Sequence, residues 1–100
     1  MVESFFDENA GRLKIHVKGR FDYTYLKMFK EAFAVTENVN SYDVDLAKVD
    51  YLDSSALGML LLLRDHAGGD QGCVRLINAK GAVVDILKIA NFHRLFEIAE

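Results

Sequence analysis

The chain has 100 residues with a formal net charge of -3 at pH 7, 51% hydrophobic residues, no proline and a single cysteine. That length suits one compact domain spanning residues 1–100 and leaves no room for a second. Lys and Arg are scattered along it, so there is no positive field to draw in a phosphate backbone or an anionic lipid surface, and neither nucleic acid nor membrane is an expected partner.

The opening MVESFFDENAGR lacks the basic region and long apolar core of a secretion signal, and no run approaches the ~20 apolar residues of a membrane span. The expected compartment is the cytoplasm. Residues 2–6 read as a short strand, and Leu13, Ile15 and Val17 alternate with Lys14, His16 and Lys18 as a second one. The turn residues Asn9-Ala10-Gly11 between them make a hairpin. Asp22 then precedes YTYLKMFKEAFAV, where Leu26, Phe29 and Phe33 recur at helical spacing. The aspartate is placed to cap this first helix, whose Phe side should lie on the sheet.

After the polar break ENVNS, Tyr42, Val44 and Leu46 alternate with Asp43 and Asp45 as a strand, followed by a short loop through Asp50. A second helix begins near Ser54, runs through ALGMLLLLRDHA and stops at GGDQG. CVRLIN is the next strand, and Cys73 within it reads as a small buried apolar side chain. Gly81 introduces a third helix with Val83, Val84, Leu87 and Ala90 along one side, and RLFEIA has the composition of a last short strand. The order ββαβαβαβ predicts an α/β fold, a mixed and mostly parallel sheet of about five strands with helices packed on it. Functional surfaces of such sheets lie at the carboxyl ends of the strands, and DSSALG is one such junction.

Ser54 can cap the second helix, which explains a serine there but not the leucines behind it. At ~100° per residue, Ala56, Met59, Leu60, Leu63 and Ala67 share one arc, the expected buried stripe. Gly58, Leu61 and Asp65 fall opposite and Leu62 lies between. An exposed apolar face beside a hydroxyl has the character of a docking site, with Gly58 admitting a close backbone approach. A phosphate on such a serine adds ~1.5 to 2 negative charges at the positive end of a helix dipole, which the fold tolerates and an apolar partner does not.

VDLAKVDYLDSSALG resembles the strand, Asp-Leu, loop and D-S-S-G-L-G pattern of STAS domains, and within them the bacterial anti-sigma factor antagonists. VRLINAKGAVVDILKIANFHRLFEIA and GRFD are similar to further blocks of that family, with Ala56 in place of its usual glycine and Phe21 where leucine is common. The resemblance implies a STAS fold with Ser54 as phosphate acceptor and Asp22, Asp53 and Ser55 as its motif neighbours. It implies as partner an anti-sigma factor with serine kinase activity, for which the outward face of the second helix, Gly58, Leu61, Leu62 and Asp65, is the expected binding surface. It further implies a metal-dependent serine phosphatase that restores the unmodified form.

The resemblance also leaves open a constitutive interaction subunit, because STAS domains occur in anion transporters and as accessory subunits of lipid-transport complexes. Catalysis is not expected: G-x-S-x-G and G-x-x-x-x-G-K-[ST] are absent, and His16, His66 and His93 stand apart in the sequence. No cofactor or metal is expected.

Overall fold

The structure is a computed structural model that describes residues 1–99. Val2–Asp7 (β1) and Arg12–Phe21 (β2) form the antiparallel hairpin, and Ser41–Leu52 (β3), Val74–Ile77 (β4) and Glu97–Ala99 (β5) extend it with parallel pairings. The strands lie in the order β1-β2-β3-β4-β5. Helices Leu26–Ala34 (α1), Ser54–His66 (α2) and Ala82–Ile89 (α3) occupy the three crossovers, as parallel neighbours require. The α/β order read from the sequence is the order observed.

The strands' period of two divides the sheet into unlike faces. Leu13, Ile15 and Val17 of β2, Tyr42, Val44 and Leu46 of β3, and Val74 and Leu76 of β4 are buried in the core. Against them lies an aromatic row in which Phe21 meets Phe29 at 5.3 Å, Phe29 meets Phe33 at 5.7 Å and Phe33 meets His66 at 4.9 Å. Phe21 is fully buried at the head of this row, its ring also 6.2 Å from that of Tyr25.

The opposite face is held by ion pairs. Arg75 reaches the Asp43 carboxylate through Nε at 3.0 Å and Nη2 at 2.8 Å, a two-point contact that raises the arginine's already high pKa, and Glu97 lies 3.6 Å beyond. Arg12 approaches Asp43 at 3.8 Å, His16 approaches Asp45 at 3.5 Å, and Lys18 meets Glu3 at 3.1 Å. Acidic and basic strands therefore alternate across the sheet, and cross-strand pairing does here what a second helical layer does in most parallel sheets.

Several expectations are corrected. β3 continues to Leu52 instead of ending in a loop at Asp50, because it takes up extra residues as bulges while still pairing with β2: the register shifts between His16 and Lys18 and again between Gly19 and Arg20, each time with one more residue on β3 than on β2, leaving Arg20 opposite Tyr51 and Phe21 opposite Leu52. Gly19 has φ +84°, a backbone state open to glycine at a bulge, and the Tyr25 hydroxyl donates to the Lys18 carbonyl at 2.6 Å. Cys73 is exposed rather than buried; it precedes β4, and its backbone carbonyl starts the β3–β4 ladder by accepting from the Tyr42 amide at 2.9 Å. The last strand is confined to three residues, since Phe92–Arg94 form a 3₁₀ turn whose Phe92 carbonyl binds the Phe96 amide at 2.9 Å. His16 is half-covered by an edge-on contact with Phe5 at 5.4 Å, more sheltered than a freely exposed strand face would leave it.

The Asp43 side chain is 2% exposed and that of Arg75 34%, which makes the pair asymmetric. Arg75→Ala should cost about 3 kcal/mol by leaving a buried carboxylate with only the long Arg12 contact, and Asp43→Ala only about 1–2 kcal/mol because the released guanidinium can reach water. Urea unfolding of the two variants checks the order.

Candidate functional site

The paired ends of β2 and β3 turn directly into the two helices that frame the site. The Asp53 amide donates to the Phe21 carbonyl at 3.4 Å, carrying the β2/β3 pairing one step past Leu52 and bringing Asp22 and Asp53 to one edge of the sheet. Each aspartate then starts a helical turn. The Asp22 carboxylate accepts from the Thr24 amide at 3.0 Å and from the Thr24 hydroxyl. Asp53 accepts from the Ala56 amide at 3.0 Å while its carbonyl takes the Leu57 amide at 3.1 Å.

Asp22 does not cap α1 itself but a 3₁₀ turn, Tyr23–Tyr25, after which α1 begins at Leu26. The Thr24 hydroxyl and amide hold the Asp22 carboxyl below the usual aspartate range, with a smaller favourable contribution from Arg20. A depressed carboxyl stabilises above its unfolded pKa and loses that effect as pH falls through the folded value, so acid loosens this turn.

Asp53 is the N-cap of α2, and Ser54 is the first helical residue. Ser54 is exposed, and among the described residues its hydroxyl has no hydrogen-bond partner. The helix start therefore accounts for the aspartate and leaves the serine without a structural task. Ser55 is half-buried, Gly58 and Asp65 are exposed, and Leu61 and Leu62 are 38% and 43% exposed. The buried side of α2 consists of Ala56, Met59, Leu60 and Leu63, the stripe that the helical wheel predicts. Ala56 is fully buried, so the methyl group that replaces the family's glycine fills core space without changing the surface.

Between the 3₁₀ turn, α1 and α2 lies an open apolar groove of about 410 Å³ lined by Tyr23, Leu26, Ser55, Gly58, Met59 and Leu62. Leu61 and Asp65 lie outside this lining. A side chain built at Gly58 would meet nothing within 4 Å, so no internal contact demands glycine there, although glycine inside a helix costs roughly 0.5–1 kcal/mol relative to alanine. Tyr23, 72% exposed, and Leu26, 43% exposed, form the wall that sequence reasoning missed. The periodicity puts Leu26 with Phe29 and Phe33 on one side of α1, and the two phenylalanines are buried while Leu26, at the first position of the helix, is left uncovered.

Arg20 and Tyr51 lie opposite each other where the two strands end, outside the lining of the groove. The guanidinium lies 4.1 Å from the Tyr51 ring centre, and its Nε is 3.8 Å from an Asp22 oxygen. Among the described residues no three His, Cys, Asp or Glu side chains gather as metal ligands, and no helix is long and apolar enough to cross a membrane.

A protein-family model described as "Mlab, STAS domain" matches residues 4–97. A STAS-domain containing protein of Pseudomonas aeruginosa (strain UCBPP-PA14) is 49% identical over 88 residues, which is 87% of either chain. A candidate anti-sigma factor antagonist of Thermotoga maritima superposes with a TM-score of 0.84 at 18% identity, over 100% of this chain and 86% of its own. A sulfate transporter family protein of Wolinella succinogenes gives 0.78 at 13% identity, over 95% and 80%. The Bacillus cell fate determinant SpoIIAA in its phosphorylated form gives 0.74 at 13% identity, over 100% and 92%. At these identities the three structures share the fold.

Because Asp53 and not Ser54 caps α2, Asp53→Ala should lower stability by about 1 kcal/mol, whereas Ser54→Ala should shift it by less than about 0.5 kcal/mol. Chemical denaturation of the two variants decides which residue starts the helix.

Proposed function

The chain belongs to the STAS domain family, and from that footing we propose that it is a regulatory binding protein switched by phosphorylation of Ser54. In its serine form it holds an anti-sigma factor of the serine kinase type against the groove between α1 and α2, which frees the sigma factor. The kinase transfers the γ-phosphoryl group of ATP to Ser54 Oγ, the hydroxyl proton is lost and ADP leaves. A metal-dependent serine phosphatase hydrolyses the ester and returns serine and inorganic phosphate.

The observation that carries this reading is the exposed Ser54 hydroxyl, spare once Asp53 has capped the helix, at the first helical position beside an uncovered apolar groove. The helix dipole favours negative charge at that position, so the fold accepts a phosphate. A partner seated over Tyr23, Leu26 and Leu62 would have to desolvate a dianion at its edge, which costs several kcal/mol, and each ~1.4 kcal/mol is tenfold in affinity. Gly58 supports the same face as the point of contact, since its missing side chain serves nothing inside the chain.

The fold is also that of a sulfate transporter family protein, which favours a second reading, a constitutive interaction subunit of a transport or signalling complex. In that case Ser54 gains no phosphate under conditions where the partner binds, and intact mass after incubation with ATP and the captured partner separates the two readings.

Affinity capture with the Ser54→Ala chain supplies the partner for binding measurements. Ser54→Ala should bind as the parent does and resist switching off, and Ser54→Asp should bind at least tenfold more weakly with little change in melting temperature; equal affinities count against the switch. Leu62→Asp should abolish binding in a folded chain, and Leu61→Asp on the same exposed side should weaken it. Gly58→Ala should raise stability by about 0.5–1 kcal/mol while reducing affinity, a divergence expected only where the glycine serves an interface.

A further inference from the structure

We propose that Arg20 is the positioning residue for the phosphate on Ser54, exchanging its Asp22 contact for the phosphate oxygens and holding the modified group at the rim of the groove. This rests on Ser54 being the residue modified. The β2/β3 ladder sets Arg20 opposite Tyr51 and Phe21 opposite Leu52, and the Asp53 amide then binds the Phe21 carbonyl. Arg20 is thus rooted where β2 and β3 end together, its pairing partner Tyr51 lying just before the turn into Ser54, on the strand neighbouring the one that leads into α2. Its guanidinium already folds back toward this edge, over the Tyr51 ring and within 3.8 Å of Asp22.

Two carboxylates, Asp22 and Asp53, open the turns on either side of the serine, so a dianion introduced there meets like charge as well as the favourable dipole. A cation is needed to offset them, and Arg20 is the charged side chain that acts on Asp22. Its present partnership is easily exchanged. The Arg20 side chain is 67% exposed, and its Asp22 contact is long, whereas Asp22 is held mainly by Thr24. Releasing Arg20 therefore leaves the 3₁₀ turn capped. A phosphate offers twice the charge of the carboxylate and the geometry that a planar guanidinium grips at two points. Tyr51 supplies a stacking surface that keeps the side chain extended along the strand edge instead of loose in solvent.

The test uses the full chain with phosphoserine installed at position 54 during translation, which needs no kinase, and follows the second ionisation of the phosphate by ³¹P NMR. A neighbouring guanidinium favours the dianion, so Arg20→Gln should raise that pKa by about half a unit relative to the parent. Arg20→Lys should restore part of the difference, and a broad-specificity serine phosphatase should release phosphate several-fold faster from the Gln variant. A purely structural arginine would not move the titration, and melting curves confirm that the variants remain folded. Coincident ³¹P titrations in the parent and the Gln variant overturn the assignment whatever the partner does. Equal partner binding by serine and phosphoserine chains removes the switch whatever the titration shows, so the two failures are told apart.

Discussion

Asp53 accepts from the Ala56 amide, and that hydrogen bond governs how the junction is organised. It satisfies one of the amides a helix start leaves open, and because the aspartate performs it, the following serine is spared. A serine that capped the helix would have its hydroxyl committed to the backbone, and modifying it would cost the helix its start. Here Ser54 projects outward from the first turn, at the positive end of the dipole. Added charge at that point acts on whatever approaches the surface more than on the fold beneath it.

The second constraint is the register of β2 against β3. Without the β3 bulge at Asp50, across from the step between Gly19 and Arg20, Arg20 and Phe21 would pair one residue earlier along β3, and in a ladder of period two a one-residue slip sends side chains to the wrong face. The bulge keeps Phe21 opposite Leu52, both buried, and sets Arg20 beside Tyr51 outside the core. Tyr25 ties it down by donating to the Lys18 carbonyl from the turn that Asp22 opens. One irregularity thus aligns the two aspartate caps, the head of the aromatic row and the arginine at the strand end.

The charged face of the sheet lies on the other side of these strands. Its pairs, centred on the buried carboxylate of Asp43, hold β2, β3 and β4 in register through contacts distinct from those of the groove. A surface that changes charge in use benefits from such separation, since the contacts specifying the strand pairing are not those the modification disturbs.

The sequence by itself determined the order of elements, the inward faces of β2 and β3, the buried stripe of α2 and the motif at its start. Each of these is written in local periodicity or in a residue type tied to one backbone position. Tertiary structure alone decided that Asp53 caps and Ser54 is spare, that β3 runs on to Leu52, that Cys73 is exposed, and that Tyr23 and Leu26 wall a groove with Gly58 and Leu62. It also decided the burial of Asp43 and the meeting of Arg20 with Tyr51 and Asp22. Most of these depend on the bulges in the β2–β3 register or on partners more than thirty residues apart along the chain. A pattern read along one segment records its own repeat and holds no trace of the neighbour that another segment will bring to it.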